Sequence, residues 1–361
     1  MGIGNFRTPM ITPASAGSPW RGPARAVRGA RHGARRASPA QATRDHATDW
    51  PTLRCVRALL VVNPQATSTT SGVRDVLAHA LASTVRLEVA ETDYRGHAAD
   101  AAARAMDDGV DLVVALGGDG TVNEVVNGLL RRGVRDDVPA LGVVPGGMGN
   151  VFARALGMPR DPVEATHQLL TAIEEGRSRR VGLGRANGRW FTFNAGVGWD
   201  ADVIAGVERL RARGHEASAA RYVRIAVANY FRLVGRRPRI TATLPGREPE
   251  TGLHLAFVSN TDPWTYLGRR PLHVNPGASF DGGLGVFGLR STALPTVLRH
   301  LGQVISSKRE PKGRAVLRVD DVPSVVVRCA LPTGLQVDGD FLGHHTTIEF
   351  SATRNALQVV V

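Results

Sequence analysis

The sequence predicts an α/β domain built on a parallel sheet, followed by a second, β-rich domain. Apolar runs at 58–62, 85–90, 112–116 and 141–144 recur about 27 residues apart. Between them, three stretches place apolar residues at i, i+3, i+4, i+7 and i+8. They run from Val73 to Leu81, from Ala98 to Met106 and from Val122 to Leu130. That spacing draws one apolar stripe along a helix, and strands alternating with such helices form βαβ units. Beyond residue 155 the pattern changes to short alternating segments separated by Gly, Pro and Asp turns, as antiparallel strands require.

The elements follow in order. Residues 1–54 hold nine arginines, no lysine and two aspartates among Ala, Gly, Pro and Ser, with almost no apolar periodicity. They are expected to be a disordered basic extension, and an upstream start codon explains them equally well. Arg35-Arg36 precedes no apolar h-region, which argues against a signal peptide. The α/β domain is expected over 55–155 and the β-rich domain over 156–345. The latter opens with a helix at 161–175 and contains one more, at about 216–235. Its strands are expected at 190–197, 239–244, 253–259, 284–289, 315–319, 324–330 and 346–350. The closing LQVVV reads as a further buried strand, and the pattern leaves open which domain receives it.

Composition removes several classes. At 361 residues, 43% hydrophobic, with a mean hydropathy of −0.10, the chain has the make-up of a soluble globular protein. No stretch approaches the roughly 18–20 apolar residues of a membrane span. Cys55 and Cys329 form no metal or redox spacing, so free thiols in a reducing cytoplasm are expected. The net charge of +13 owes +7 to residues 1–54, so the rest of the chain is only mildly basic. A basic surface would suit an anionic membrane or nucleic acid, and a plain solvated surface explains it too; no nucleic-acid partner is expected.

Residues 112–124, LVVALGGDGTVNE, carry the most chemistry. A buried-type strand runs into Gly117-Gly118-Asp119-Gly120-Thr121, and a helix follows. The glycines allow an anion close to the main chain, and the helix start offers free N–H groups and a positive dipole end. GxxxxGK[ST] occurs nowhere, so no P-loop lysine serves a phosphate. Asp119 stands in the turn instead, where it needs a divalent cation or a substrate proton between itself and a phosphate. A second glycine turn, Pro145-Gly146-Gly147-Met148-Gly149-Asn150, lies one βα unit further on. Ligands in such sheets bind beyond the carboxyl ends of the strands, so the two turns would clamp a polyphosphate from two sides.

Residues 57–361 resemble the diacylglycerol kinase catalytic family of bacterial soluble lipid kinases and sphingosine and ceramide kinases. The matching stretches are NPQ at 63–65, Thr92 with GHA at 96–98, GGDGTVNEVVNG at 117–128 and PGGMGNVFARALG at 145–157. FNAGVGWDADV at 193–203, NPGASFDGGLGV at 275–286 and VDGD at 337–340 follow in order. The resemblance implies an NAD kinase/6-phosphofructokinase-like nucleotide-binding domain, then a β-sandwich-like acceptor domain, with the last strand (about 346–361) returning to the first. It implies ATP and Mg²⁺, nucleotide contacts at Asn63 and Thr92, and a phosphate turn of Gly117, Gly118, Gly120 and Thr121. Asp119 would reach Mg²⁺ through water, with Glu124 one turn further on the same side. Gly146, Gly147 and Asn150 would complete the phosphate site, and Asp281 would take the proton from the acceptor hydroxyl. NAD kinases share GGDG, but PGGMGN, FNAGVGWDA and the FDG aspartate favour the lipid branch.

The expected activity is therefore transfer of the γ-phosphate of ATP to the hydroxyl of diacylglycerol or a related lipid at a membrane surface. The location would be cytoplasmic, on the inner face of the membrane, and a homodimer stays open. A sphingoid base, another glycolipid or a soluble metabolite as acceptor, or a non-catalytic nucleotide- or lipid-binding regulator, are the alternatives. The chain also departs from the family pattern. Met148 replaces a common Thr or Ser, Val151 a common Asp, Gly182 a common Asp, and Asp340 the usual Glu of DGE. A structural Mg²⁺ near Tyr222 is not expected, since the aspartates beside it are missing. His97 is read either as a phosphate contact or as a capping residue. Trp190, Trp199 and Trp264 are read as packing residues that could instead line a lipid cleft.

Overall fold

A computed structural model describes residues 56–66, 71–213, 219–306 and 310–361. The expected disordered extension and Cys55 lie outside the described residues. The first region alternates as the periodicity predicts. It comprises β1 (Arg57–Val62), α1 (Ser71–Ala82), β2 (Arg86–Glu91), α2 (His97–Asp107), β3 (Leu112–Gly117), α3 (Asp119–Leu129) and β4 (Ala140–Pro145), then α4 (Val151–Ala155) and α5 (Pro162–Glu174). β1 pairs in parallel with β2 and β3, and β3 with β4, giving the order β4-β3-β1-β2. β3 and β4 are buried throughout, because helices cover the sheet and leave no polar face. α2 presents Ala98, Ala101, Ala102 and Ala105 to the core. Its small residues let α3 approach so closely that a Cβ on Gly128 would lie 2.2 Å from the Ala99 carbonyl oxygen. The stripe expected on α1 is narrower than predicted: Leu77 and Leu81 are buried, whereas Val76 is exposed. α5 starts on a cap, with Asp161 accepting from the Val163 and Glu164 amides and Pro162 next.

The second region contains β5 (Ser178–Ala186), β6 (Arg189–Phe191), β7 (Asn194–Gly198), α6 (Trp199–Arg211), α7 (Ala219–Leu233), β8 (Ile240–Thr243), β9 (Glu250–Leu253) and β10 (Leu255–Ser259). The hairpin β11 (Thr265–Leu267) and β12 (Arg270–Leu272) comes next, then β13 (Leu284–Leu289), α8 (Leu294–Ile305), β14 (Val316–Val322), β15 (Ser324–Val337) and β16 (Asp340–Val360). Its strands pair antiparallel, as expected. Among the described residues the single internal helix expected here is corrected to three. α6 is hidden inside the FNAGVGWDADV stretch because its buried face is short and includes an aspartate, Asp200. α8 carries apolar residues at 294, 297, 298, 301, 304 and 305, a regular helical spacing that the strand-rich expectation for this region passed over. Leu294, Leu298 and Leu301 lie outward while Val297 and Val304 pack inward.

The expected strands at 324–330 and 346–350 belong to one long hairpin, β15–β16. β16 continues to the first region, pairing with β5 and meeting β4 in parallel at Val359–Leu141. Its register shifts between Thr353 and Leu357, where Asn355 adopts φ 51°. Before that bulge Ile348 and Phe350 fill the core of the second region; after it Leu357 and Val359 fill that of the first. The bulge lets one strand serve two cores.

Candidate active site

β1 and β3 are neighbours whose chain connections lead to opposite edges of the sheet, so their carboxyl ends form its switch point. Asn63 leaves β1 there. Its amide donates to the Leu116 carbonyl at 3.1 Å, and its Nδ2 donates to Thr121 Oγ1 at 3.2 Å. Thr92 is held at the end of β2 by its amide on the Val62 carbonyl, 2.9 Å away. In the turn after β3, Gly118 is the extended N-cap residue of α3, and the first intrahelical bond runs from Val122 N to Gly118 O. The amides of Asp119, Gly120 and Thr121 precede that bond and have no intrahelical acceptor.

The second glycine turn is locked onto the first. Gly146 N donates to Gly117 O at 2.7 Å, and a Cβ on Gly147 would lie 2.7 Å from Gly118 Cα. Asn150 fastens its own turn: at φ 47° it accepts from Gly147 N at 2.9 Å and donates to Gly147 O at 2.6 Å. Asp119 sits between the turns. Its Oδ1 accepts from Phe152 N at 3.2 Å, and a Cβ on Gly149 would come within 2.9 Å of Oδ2. Burial of this carboxyl, reinforced by nearby Asp338, pushes its pKa up to about 7, against the pull of the Phe152, Val151 and Asn150 amides. The two departures in this turn differ in consequence: Met148 projects outward, whereas Val151 is buried in the core.

A cleft of about 930 Å³ opens beside these strand ends, walled on the far side by α6, α7 and the start of β16. Asn63, Thr92, Gly120, Thr121 and Glu124 line it. Glu124 Oε1 accepts from Gly96 N at 2.9 Å, fixing the start of α2. His97 does not line the cleft; its Nδ1 accepts from Asp93 N at 3.1 Å and its ring stacks on Tyr94 at 4.7 Å. Gly117, Gly118, Asp119, Gly146, Gly147 and Asn150 form the turns behind the lining. Trp199 joins the cleft wall, while Trp190 and Trp264 pack inside.

Asp281 also lies outside the lining and is exposed. A chain of contacts connects its loop to the glycine turns. The neighbouring Phe280 packs edge-on against Phe152, at 5.5 Å and 84°, and Phe152 N is the donor to Asp119. Phe280 O accepts from Gly182 N at 2.8 Å, and a Cβ on Gly182 would stand 2.5 Å from that oxygen. Close approach of the two backbones thus explains a glycine at 182.

Sequence reasoning assigned no role to Asp338, although it lies within the VDGD stretch. This buried carboxylate accepts from Thr192 N, Thr192 Oγ1, Phe193 N, Asn194 N and Asn123 Nδ2. The signal was an Asp-Gly turn between two long strands, indistinguishable in sequence from an ordinary hairpin. Asp340 ion-pairs with Arg189 at 3.3 Å and Arg95 at 3.6 Å. Arg189 also donates to Asn123 Oδ1 at 2.7 Å, so β16, β6 and α3 are joined at the cleft.

The donor set suits a phosphate-borne Mg²⁺ better than a protein cage. Among the described residues no group of three or more His, Cys, Asp or Glu could hold a metal, whereas Mg²⁺ commonly takes one or two carboxylates plus substrate phosphates and water. Among the same residues no helix is long and apolar enough to cross a membrane.

Residues 57–186 match the model of the diacylglycerol kinase catalytic domain. The chain is 43% identical over 107 residues to a diacylglycerol kinase of Bacillus subtilis, covering 30% of this chain and 33% of that one. It is 39% identical over 142 residues to a diacylglycerol kinase of Staphylococcus aureus, covering 37% and 41%. The aligned part therefore spans well under half the length of these curated relatives. The crystal structure of a diacylglycerol kinase from Bacillus anthracis superposes with a TM-score of 0.63 at 22% identity, over 85% of this chain and 97% of that one. That likeness speaks for the fold, including the antiparallel second region. Residues 57–186 thus match the diacylglycerol kinase catalytic domain, and the chain shares the fold of that solved structure over most of its length.

Proposed function

We propose that the protein is an ATP-dependent lipid kinase that phosphorylates the hydroxyl of diacylglycerol or a related lipid. The observation that carries this is the mutual locking of two glycine turns, Gly146 N on Gly117 O at 2.7 Å, with Asp119 between them at the switch point of the parallel sheet. Free amides at the start of α3 and the two turns would hold the triphosphate. Asp119, through water, would help hold a phosphate-bound Mg²⁺, which would supply charge neutralisation during transfer. Asn63, Thr92 and Thr121 would orient the nucleotide in the cleft. Asp281 would accept the proton of the attacking hydroxyl as its oxygen bonds the γ-phosphorus and ADP departs. Its exposure fits a base that meets an acceptor arriving from outside the cleft. A lipid acceptor puts the working protein at the inner face of the membrane.

The test is a panel of acceptors with labelled ATP and Mg²⁺: diacylglycerol, a sphingoid base, a glycolipid and NAD⁺. Labelled phosphatidic acid as the main product is the expected result. Preferential labelling of another acceptor would reassign the substrate. Nucleotide binding with no acceptor labelled would make the protein a regulator.

A further inference from the structure

α7 exposes a row of large apolar side chains on the side turned away from the cleft. Val223, Val227 and Phe231, continued by Val234 just past the helix end, are 44% to 69% exposed. Four-residue spacing keeps the first three on one ridge. Asn229, Arg232 and Leu233, which line the cleft, fall on the opposite side of the helix. Apolar residues exposed singly need no explanation, but a continuous ridge does. The helix, AARYVRIAVANYFRL, contains no acidic residue. Arg224 is exposed next to the ridge, and Arg237 and Arg239 are exposed beyond its end, whereas Arg236 lines the cleft.

α8 repeats the arrangement. Leu294, Leu298 and Leu301 are 47% to 56% exposed along one ridge, Val297 and Val304 pack inward, and no residue of the helix is acidic. Arg299 is exposed beside this ridge. α7 is tied to the segment just before α8, since Tyr230 Oη donates to the Thr292 carbonyl at 3.0 Å.

We propose that the outward faces of α7 and α8 are the surface by which the protein lies on an anionic bilayer. The apolar ridges enter the boundary between headgroups and acyl chains, and the flanking arginines meet lipid phosphates. Charge decides against a second copy of this chain as the occupant. A two-fold contact through this face would bring arginine against arginine with no acidic residue on either helix to answer them. The opposite side of α7 forms a wall of the cleft, so docking here sets the cleft beside the lipid surface. The assignment deepens the lipid-kinase reading and rests on it for its purpose.

The experiment sediments the full chain, without ATP, with vesicles of phosphatidylglycerol and separately of phosphatidylcholine. Binding to the anionic vesicles, weakened by salt and far weaker on the neutral ones, is the expected result. Val227→Ser with Phe231→Ser lowers the partition coefficient roughly tenfold, and Arg224→Glu lowers it about fivefold or more. Unfolding midpoints like the wild type's show that the variants fold. Indifference of the wild type to anionic vesicles, or wild-type binding by both variants, overturns the assignment. So does a dimer broken by Val227→Ser with Phe231→Ser in a protein that ignores vesicles. Phosphate transfer to diacylglycerol in detergent micelles, where no bilayer exists, judges the kinase reading separately.

Discussion

Asn123 on α3 and Asp338 at the tip of the β15–β16 hairpin stand 215 residues apart in sequence, yet Asn123 Nδ2 donates to Asp338 Oδ2 at 2.8 Å in the interior. The same carboxylate gathers the amides of Thr192, Phe193 and Asn194. It therefore ties α3 to the segment that leads into β7. Asp338→Ala strands several buried donors at once, and the expected loss of stability is on the order of 3 to 5 kcal/mol. Thermal unfolding of purified variant and wild type checks this; a shift within error would mean that water replaces the carboxylate without cost.

The contact between the glycine turns predicts a binding defect. Gly147 does not adopt a left-handed backbone, so Gly147→Ala is disfavoured by the approach of its Cβ to Gly118 Cα at 2.7 Å and to Asn150 Oδ1 at 3.1 Å. Backbone cannot swing aside as a side chain can, so the turns must separate. Nucleotide affinity is expected to fall roughly tenfold or more with the fold retained. Titration calorimetry with Mg²⁺-ATP measures it, and Gly149→Ala, whose Cβ would crowd Asp119 Oδ2, is expected to act in the same direction.

Gly182 predicts a different split. Its Cβ would press on the Phe280 carbonyl, 2.5 Å away, and displace the loop that carries Asp281. Gly182→Ala is expected to lower kcat while leaving the nucleotide dissociation constant near the wild-type value. Steady-state kinetics beside direct nucleotide binding separates the two effects. Equal losses in both would show that the loop does not act independently of the phosphate turns.

Asp200 predicts a pH effect. This buried side chain accepts from Gln336 Nε2 at 2.6 Å, and burial pushes its pKa up to about 7, with the Gln336 bond pulling the other way. Between its ordinary value and about 7 the folded protein keeps a proton that the unfolded chain has released. Its contribution to stability therefore falls as pH rises through that window and is level above it. Asp200→Asn keeps an acceptor for Gln336 and removes the ionisation. The variant is expected to gain on the wild type as pH rises, by as much as about 4 kcal/mol above neutrality. Urea denaturation across the pH range reads the difference.

Legibility followed the range of the interactions. β3 and the turn at Gly117–Thr121 could be read from the sequence because a continuous apolar run and three glycines in five residues are local signals. α8 was legible in the spacing of Leu294, Val297, Leu298, Leu301, Val304 and Ile305, but it stands among short strands where a single internal helix was expected. α6 was missed because Asp200 interrupts its buried face, and that aspartate is tolerated only through Gln336, far along the chain. The continuity of β16 through two cores depends on a bulge at Asn355, which reads locally as a turn. Asp338 was the largest omission, since its five donors come from α3 and the segment around Thr192. No local pattern reports a carboxylate whose partners are assembled by the fold.

The central claim is that the locked glycine turns hold ATP while Asp281 serves the acceptor hydroxyl. Its most direct measurement is transfer of label from γ-labelled ATP to diacylglycerol in mixed micelles with Mg²⁺, for wild type and Asp281→Asn, beside nucleotide binding by each. The expected result is labelled phosphatidic acid from the wild type, and a loss of roughly a hundredfold or more in kcat for the variant with nucleotide affinity unchanged. Transfer by Asp281→Asn at the wild-type rate, or a wild type that binds ATP and labels no diacylglycerol, would contradict it.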